Sequence, residues 1–369
     1  MEKYSSQLKR RIARYREFYS RREPGDLLVA INGGRSPSFE GFLCARLHER
    51  GPEAALAPGA PESAVREYVD LLHKSYGRVY AIDDDKVPCA VVHWGMGGIT
   101  AAMVGRDPIH DGATSWLEPN LSWPEIGRLA FDPANKWICF ARDLNRALWK
   151  FWDEDFMVLP YLHRSPLDAA NGIRGTELFA DMHEFPDRVK ALAGWCADWS
   201  IAVERLLARE APRPAGWGVG VWGAWLPDNA VFVNGDPVGL ISREAADAFD
   251  RPSNEKLFTS TGGGFFHNHT LGLYQADLVS SYRGILVQWF VEDPNQLPLA
   301  SALLDHPGLR EKLLAASLQC PVAGWAPHDR LDEFLDIARH GRFIVTVSCP
   351  ENMPTEPLIR KVRAASNIK

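Results

Sequence analysis

Residues 261–272, TGGGFFHNHTLG, set two histidines one residue apart behind a glycine run and two aromatic residues. In an extended strand, residues i and i+2 point to the same face, so His267 and His269 project together. Two neutral imidazoles side by side suit a metal ion, provided a third ligand arrives from elsewhere in the chain. The bland alternatives are two surface histidines, or one packed and one solvated. Other residues able to do chemistry stand at the ends of apolar runs. Cys349 follows FIVTVS directly, His163 and Arg164 follow FMVLPYL, Asp236 follows Val231–Asn234, and Asp293 lies beyond ILVQWF. Asp236 is a candidate base or substrate-orienting carboxylate, or else a cap on the turn before Ser242. His163 is a candidate proton carrier, or else a histidine held by a core hydrogen bond. Several of the 13 tryptophans crowd between Trp217 and Trp225, where Trp225 is a candidate wall for a flat or apolar ligand, or else one of the tryptophans that pack the core.

These residues need elements to position them. Short β-branched runs (87–94, 156–162, 218–225, 265–270, 285–290, 320–325 and 343–348) alternate with helical patterns at 186–208, 242–249, 306–317 and 329–340. Buried runs alternating with helices imply parallel strands joined by helical crossovers. No G-x-G-x-x-G follows a strand, because the run Gly262–Gly264 precedes its strand, and no P-loop is present. The rhythm predicts an α/β fold, a (β/α)8 TIM barrel with an N-terminal helical extension. Residues 1–80 form the extension packed on the barrel, and 81–369 form the barrel, a single domain overall. A barrel carries its chemistry at the C-terminal ends of its strands, where all the residues above can face one mouth.

Composition narrows the classes. Of 369 residues, 46% are hydrophobic and 24% charged, as in ordinary globular proteins. A net charge of −6 argues against nucleic acid as a partner. No apolar run is long enough to span a membrane, and no apolar core of a signal peptide opens the chain. The six cysteines lie far apart with no CxxC pair, which suits a reduced cytoplasm. The basic cluster at 9–22, KRRIARYREFYSRR, reads as an amphipathic helix with a solvated face.

Taken in order, several segments resemble the uroporphyrinogen decarboxylase superfamily, which also holds the corrinoid and coenzyme M methyltransferases. They are DDKVP at 84–88 with Gly95–Gly98; HRSPLD at 163–168 leading into IRGTE at 173–177; NGD at 234–236 with LIS at 240–242; the histidine strand ending in Leu271-Gly272; and the strand closing on Cys349. The methyltransferase branch looks like His-x-Cys on one strand and a second Cys on the last, binding zinc. The matching positions here are His267, His269 and Cys349, with histidine standing where the first cysteine would be. The resemblance thus implies zinc held by two imidazoles and one thiolate, a more cationic site than one with two thiolates and a stronger Lewis acid. It also places Asp236 at the mouth.

The decarboxylase branch looks like an arginine-rich N-terminal segment that holds substrate carboxylates. Here Arg35 is the nearest match, and the family's Arg-Gln-Ala-Gly-Arg run is missing. Arg35 and Arg164 are candidate substrate-binding residues, and Arg174 lies near a plausible loop. The favoured expectation is a zinc-dependent, methyltransferase-like enzyme moving a methyl group between a small molecule or corrinoid protein and a thiol. Any corrinoid sits on a partner, since this chain has no Asp-x-His-x-x-Gly signature. The alternatives are a cofactor-free decarboxylase of uroporphyrinogen or another cyclic carboxylate, and a barrel that binds a ligand without catalysis.

Overall fold

The computed structural model describes residues 4–32, 49, 51, 53–111, 115–118, 120–210 and 216–368. Strands are numbered as they build the barrel and its hairpin: β1 (Leu27–Asn32), β2 (Cys89–Val91), β3 (Met157–Leu159), β4 (Leu162–Arg164), β5 (Val219–Val221), β6 (Ala224–Leu226), β7 (Val231–Asn234), β8 (Gly264–His269), β9 (Ile285–Val291), β10 (Val322–Pro327) and β11 (Phe343–Ser348). Seven form one parallel sheet in the order β1-β11-β10-β9-β8-β7-β4. β2 pairs in parallel with β3, which runs on through Pro160 into β4. Proline has no N–H to give a ladder, and the break in pairing falls there. The result is the expected (β/α)8 barrel.

The ring is completed by one main-chain bond and two aspartate side chains. Between β1 and β2 the Asp85 N–H donates to the Val29 carbonyl at 2.7 Å, and the Asp85 carboxylate accepts the Val29 N–H at 2.9 Å. The Asp84 carboxylate accepts the Ile31 N–H at 2.9 Å. Helix α1 (Tyr4–Arg21) backs this seam, with Arg14 Nε 2.5 Å from Asp85 and the Arg11 guanidinium 3.6 Å from Asp84. The strand β1 corrects the expectation that residues 1–80 are a helical extension alone. Its run LLVAIN is buried along nearly its whole length, so it lacks the alternation that marks a half-exposed strand.

The run at 218–225 also differs from expectation. It folds as an antiparallel hairpin, β5 with β6, turning at Trp222-Gly223, and β7 supplies the barrel strand that follows. The crossover helices match their patterns more closely. Helix α2 (Pro186–Glu210) buries Val189, Leu192, Ala193 and Cys196 at helical spacing, and Ser242 caps the short helix that begins at Arg243. Among the described residues no helix is long and apolar enough to cross a membrane.

Candidate metal centre

The glycine run before the histidines is required by close approach. A Cβ on Gly262 would stand 2.0 Å from the Asp228 carbonyl oxygen, and Gly263 has φ +107°, a left-handed backbone that favours glycine. β8 then starts tight against the 228–230 loop, with the Gly262 N–H on the Asn229 carbonyl at 2.7 Å. From there the side chains alternate. Phe265 and His267 turn toward Phe232 and Trp289, while Phe266 packs on Tyr282. Phe266 also lies under Gly235, where a Cβ would meet its ring at 2.1 Å. Without a side chain there, the Gly235 N–H reaches the His267 carbonyl at 2.9 Å. That contact delivers Asp236 to the histidine pair.

The two imidazoles lie 5.0 Å apart, centre to centre. Ligand atoms of Asp236, His267 and His269 all fall within 4.8 Å of one another. His267 is buried, and neither of its ring nitrogens has a hydrogen-bond partner. Buried polar nitrogens are normally satisfied, so a residue with both left open marks a place for a ligand. His269 is oriented from behind: its Nδ1–H donates to Asp293 Oδ1 at 2.6 Å, and its Nε2 lies 3.2 Å from Asp236 Oδ1. A carboxylate fixing one ring nitrogen while the other is presented forward is the usual support of a metal-binding histidine. Asn234 Nδ2 donates to Asp236 Oδ2 at 2.7 Å, which fixes the second carboxylate oxygen.

The charges follow this geometry. Burial pushes the His267 pKa down to about 4, so the ring is neutral at pH 7. The Asp236 carboxylate, with Asp293 adding to it, pulls His269 up to about 9. Burial alone would raise the Asp236 pKa, but the His269 contact and both histidines bring it below the ordinary value. Two imidazole nitrogens and one anionic oxygen form a donor set that suits a catalytic divalent cation with positions left open.

The chain is similar in structure to a methyltransferase from Methanosarcina mazei. The TM-score is 0.56 at 10% identity, over 91% of this chain and 94% of that one. At that identity the likeness speaks to the barrel. No protein-family profile and no curated protein sequence matches the chain.

The remaining expected residues are dispersed. Cys349 directly follows β11, half-buried, and is not a member of the close group; Asp236 stands where the thiolate was expected. His163 turns away into the core, fully buried, with Nε2 2.9 Å from Glu204 Oε1 of α2 and its ring on Tyr161. That is the core arrangement, not a proton carrier at the mouth. Arg164 is forked onto Asp168 at 2.7 and 2.8 Å and also donates to Thr100. Arg174 is held by Asp181 at 2.7 Å. Trp225 is buried, its indole N–H on the Trp217 carbonyl and its ring near Tyr19, so it packs the hairpin onto α1. Trp222, at the turn of that hairpin, is the tryptophan that reaches His267, with ring centres 5.1 Å apart. Arg35 lies outside the described residues. The sequence puts Asp293 near the mouth without a role, and the pairing of β8 with β9 shows which histidine it meets.

Proposed function

We propose that this protein is a metal-dependent, methyltransferase-like enzyme with the architecture of the uroporphyrinogen decarboxylase superfamily. It moves a methyl group between a small molecule or corrinoid protein and a thiol. The observation that carries the reading is His267, buried with both ring nitrogens open beside His269 and Asp236. The structural likeness to a methyltransferase supports it. Asp236, His267 and His269 would hold the cation, with zinc the first choice for this donor set. A bound divalent cation supplies Lewis acidity that lowers the pKa of a thiol and keeps it as thiolate at neutral pH. The chain's own residues do the rest. Asp293 keeps the His269 proton on Nδ1, Asn234 steadies Asp236, and burial keeps His267 neutral. Exposed Leu240, Leu271 and Tyr274 lie on the turns that follow Asp236 and His269, and suit the approach of a partner carrying a corrinoid.

Uroporphyrinogen decarboxylation is disfavoured by the arginines. Among the described residues, Arg164 and Arg174 are already paired with Asp168 and Asp181, and the family's arginine-rich N-terminal run that would hold a ring of substrate carboxylates is missing. The test is elemental analysis of purified protein together with a thiol-methylation assay. Zinc should copurify near one per chain. Asp236→Ala and His267→Ala should each lose most of it, and Cys349→Ser should keep more than half. Metal-free protein with full activity would sink the reading, and iron in place of zinc would redirect it to other chemistry. Loss of metal from Cys349→Ser with retention in Asp236→Ala would restore the thiolate as the third ligand.

A further inference from the structure

Trp222 is held in a backbone conformation that a bulky residue rarely adopts. It and Gly223 are the central residues of the β5–β6 turn, with φ +44° and +90°. Two positive φ values in a two-residue hairpin are the type I′ pattern, which asparagine-glycine ordinarily fills. A tryptophan there is an outlier, and strain of this kind gathers where a side chain must be presented to a ligand.

The presentation is specific. The Trp222 ring meets Phe232 at 4.4 Å, Trp289 at 4.7 Å and His267 at 5.1 Å, with interplanar angles of 79°, 60° and 77°. Despite these contacts Trp222 remains 42% exposed, and Trp289 is also partly open. The two indoles therefore meet at an angle and leave an open aromatic corner beside His267. The charges acting on His267 are the carboxylates of Asp236 and Asp293 and the neighbouring His269. Among the described residues, Arg164 is forked onto Asp168 and the Lys86 stem packs at Gly223. A divalent cation on this group would be balanced by the two aspartates, so a further positive charge in the corner is not repelled.

We infer that the corner of Trp222 and Trp289, backed by the buried Phe232 ring, binds a quaternary ammonium group bearing N-methyls. Indole faces attract such cations through their quadrupoles. The role as methyl donor rests on the methyl-transfer reading; the binding itself does not. As a donor, the ammonium compound loses a methyl group when its C–N bond breaks. The electron pair stays on nitrogen to leave a neutral tertiary amine. The thiolate pair forms the new S–C bond, and the thiol proton passes to solvent.

The test uses choline and its uncharged carbon isostere, 3,3-dimethylbutan-1-ol, titrated calorimetrically into the full-length protein with and without added zinc. Choline should bind at least about tenfold tighter than the isostere. Trp222→Asn should lose that preference while holding its metal content and its melting temperature, because asparagine suits the type I′ turn. Trp289→Leu, outside the turn, should repeat the loss, and Trp222→Phe should keep part of it. Equal binding of the two probes, or unchanged choline affinity in Trp222→Asn, overturns the inference. Choline binding with no copurifying metal would sink the metal reading and leave this one standing.

Discussion

At the scale of single residues, the two histidines are pushed in opposite directions. The folded pKa of His269, about 9, exceeds its unfolded value near 6.5. Its contribution to the stability of metal-free protein is therefore full below about pH 6.5 and is lost as pH rises through about 9. His267 does the reverse. Its folded value of about 4 lies below about 6.5, so its contribution is present above about 6.5 and is lost as pH falls toward 4. Urea midpoints of metal-free protein should fall on both flanks, with His269→Gln flattening the alkaline limb and His267→Phe the acid one. A single monotonic slope from pH 4 to 10 would contradict the assignment. Metal uptake near pH 7.5 should release the His269 proton, so zinc affinity should keep rising toward pH 9. Asp293→Asn should weaken zinc binding roughly 10- to 100-fold, as loss of a carboxylate behind a ligating histidine does elsewhere; competition with a chelating dye measures it. The histidine pair was legible in the sequence because i,i+2 spacing fixes a shared face. The approach of Asp236 to that pair was not, because it depends on the β7–β8 register and on what Gly235 leaves room for.

At the scale of elements, the site hangs on two places where backbones come close. Gly235→Ala would drive a methyl into the Phe266 ring at 2.1 Å. Overpacking of that kind costs about 1–3 kcal/mol, and here it also pushes Asp236 away from His267. Reduced stability in urea and lowered zinc occupancy should appear together; normal occupancy in a destabilised variant would separate the turn from the site. The helices at 186–208, 242–249, 306–317 and 329–340 and the strands from β8 to β11 were legible, since their periodicities and turn residues agree with the final packing, whereas the helices Ala60–Val79 and Lys136–Phe151 were not read. The hairpin was misread because GVGVWGAW is apolar throughout. Only its Trp-Gly step carries a turn signal, and Trp-Gly is a weaker signal than Asn-Gly. β1 escaped notice for a related reason: a strand buried on nearly every residue shows no alternation.

For the molecule as a whole, the barrel's weakest lateral joint lies between β1 and β2, where two aspartates do the work of a ladder. Asp85 is buried and takes both the Val29 N–H and Arg14, so Asp85→Ala would strand a buried N–H and a cation at once. A loss of about 3–5 kcal/mol is expected from breaking a buried charged pair in this way, read from urea denaturation; a change under about 1 kcal/mol, the scale of an ordinary exposed pair, would show that the seam contributes little. Asp84 differs, because burial lifts its pKa to about 6. Its contribution is present below about pH 3.8 and declines as pH rises through about 6, so Asp84→Asn should be tolerated better at pH 7 than Asp85→Ala.

The other neighbour of β1 is β11, with Leu27 facing Phe343. Among the described residues, the first strand in chain order thus pairs sideways with the last. Until residues 343–348 emerge, β1 has the aspartate seam and helix α1 behind it but no strand ladder, and the growing chain carries an open cylinder with a bare edge. Translation arrested before residue 343 should yield nascent chains that proteases cut near β1. Synthesis past residue 348 should bring protection in one late step, because closing the circle requires both β1 and β11.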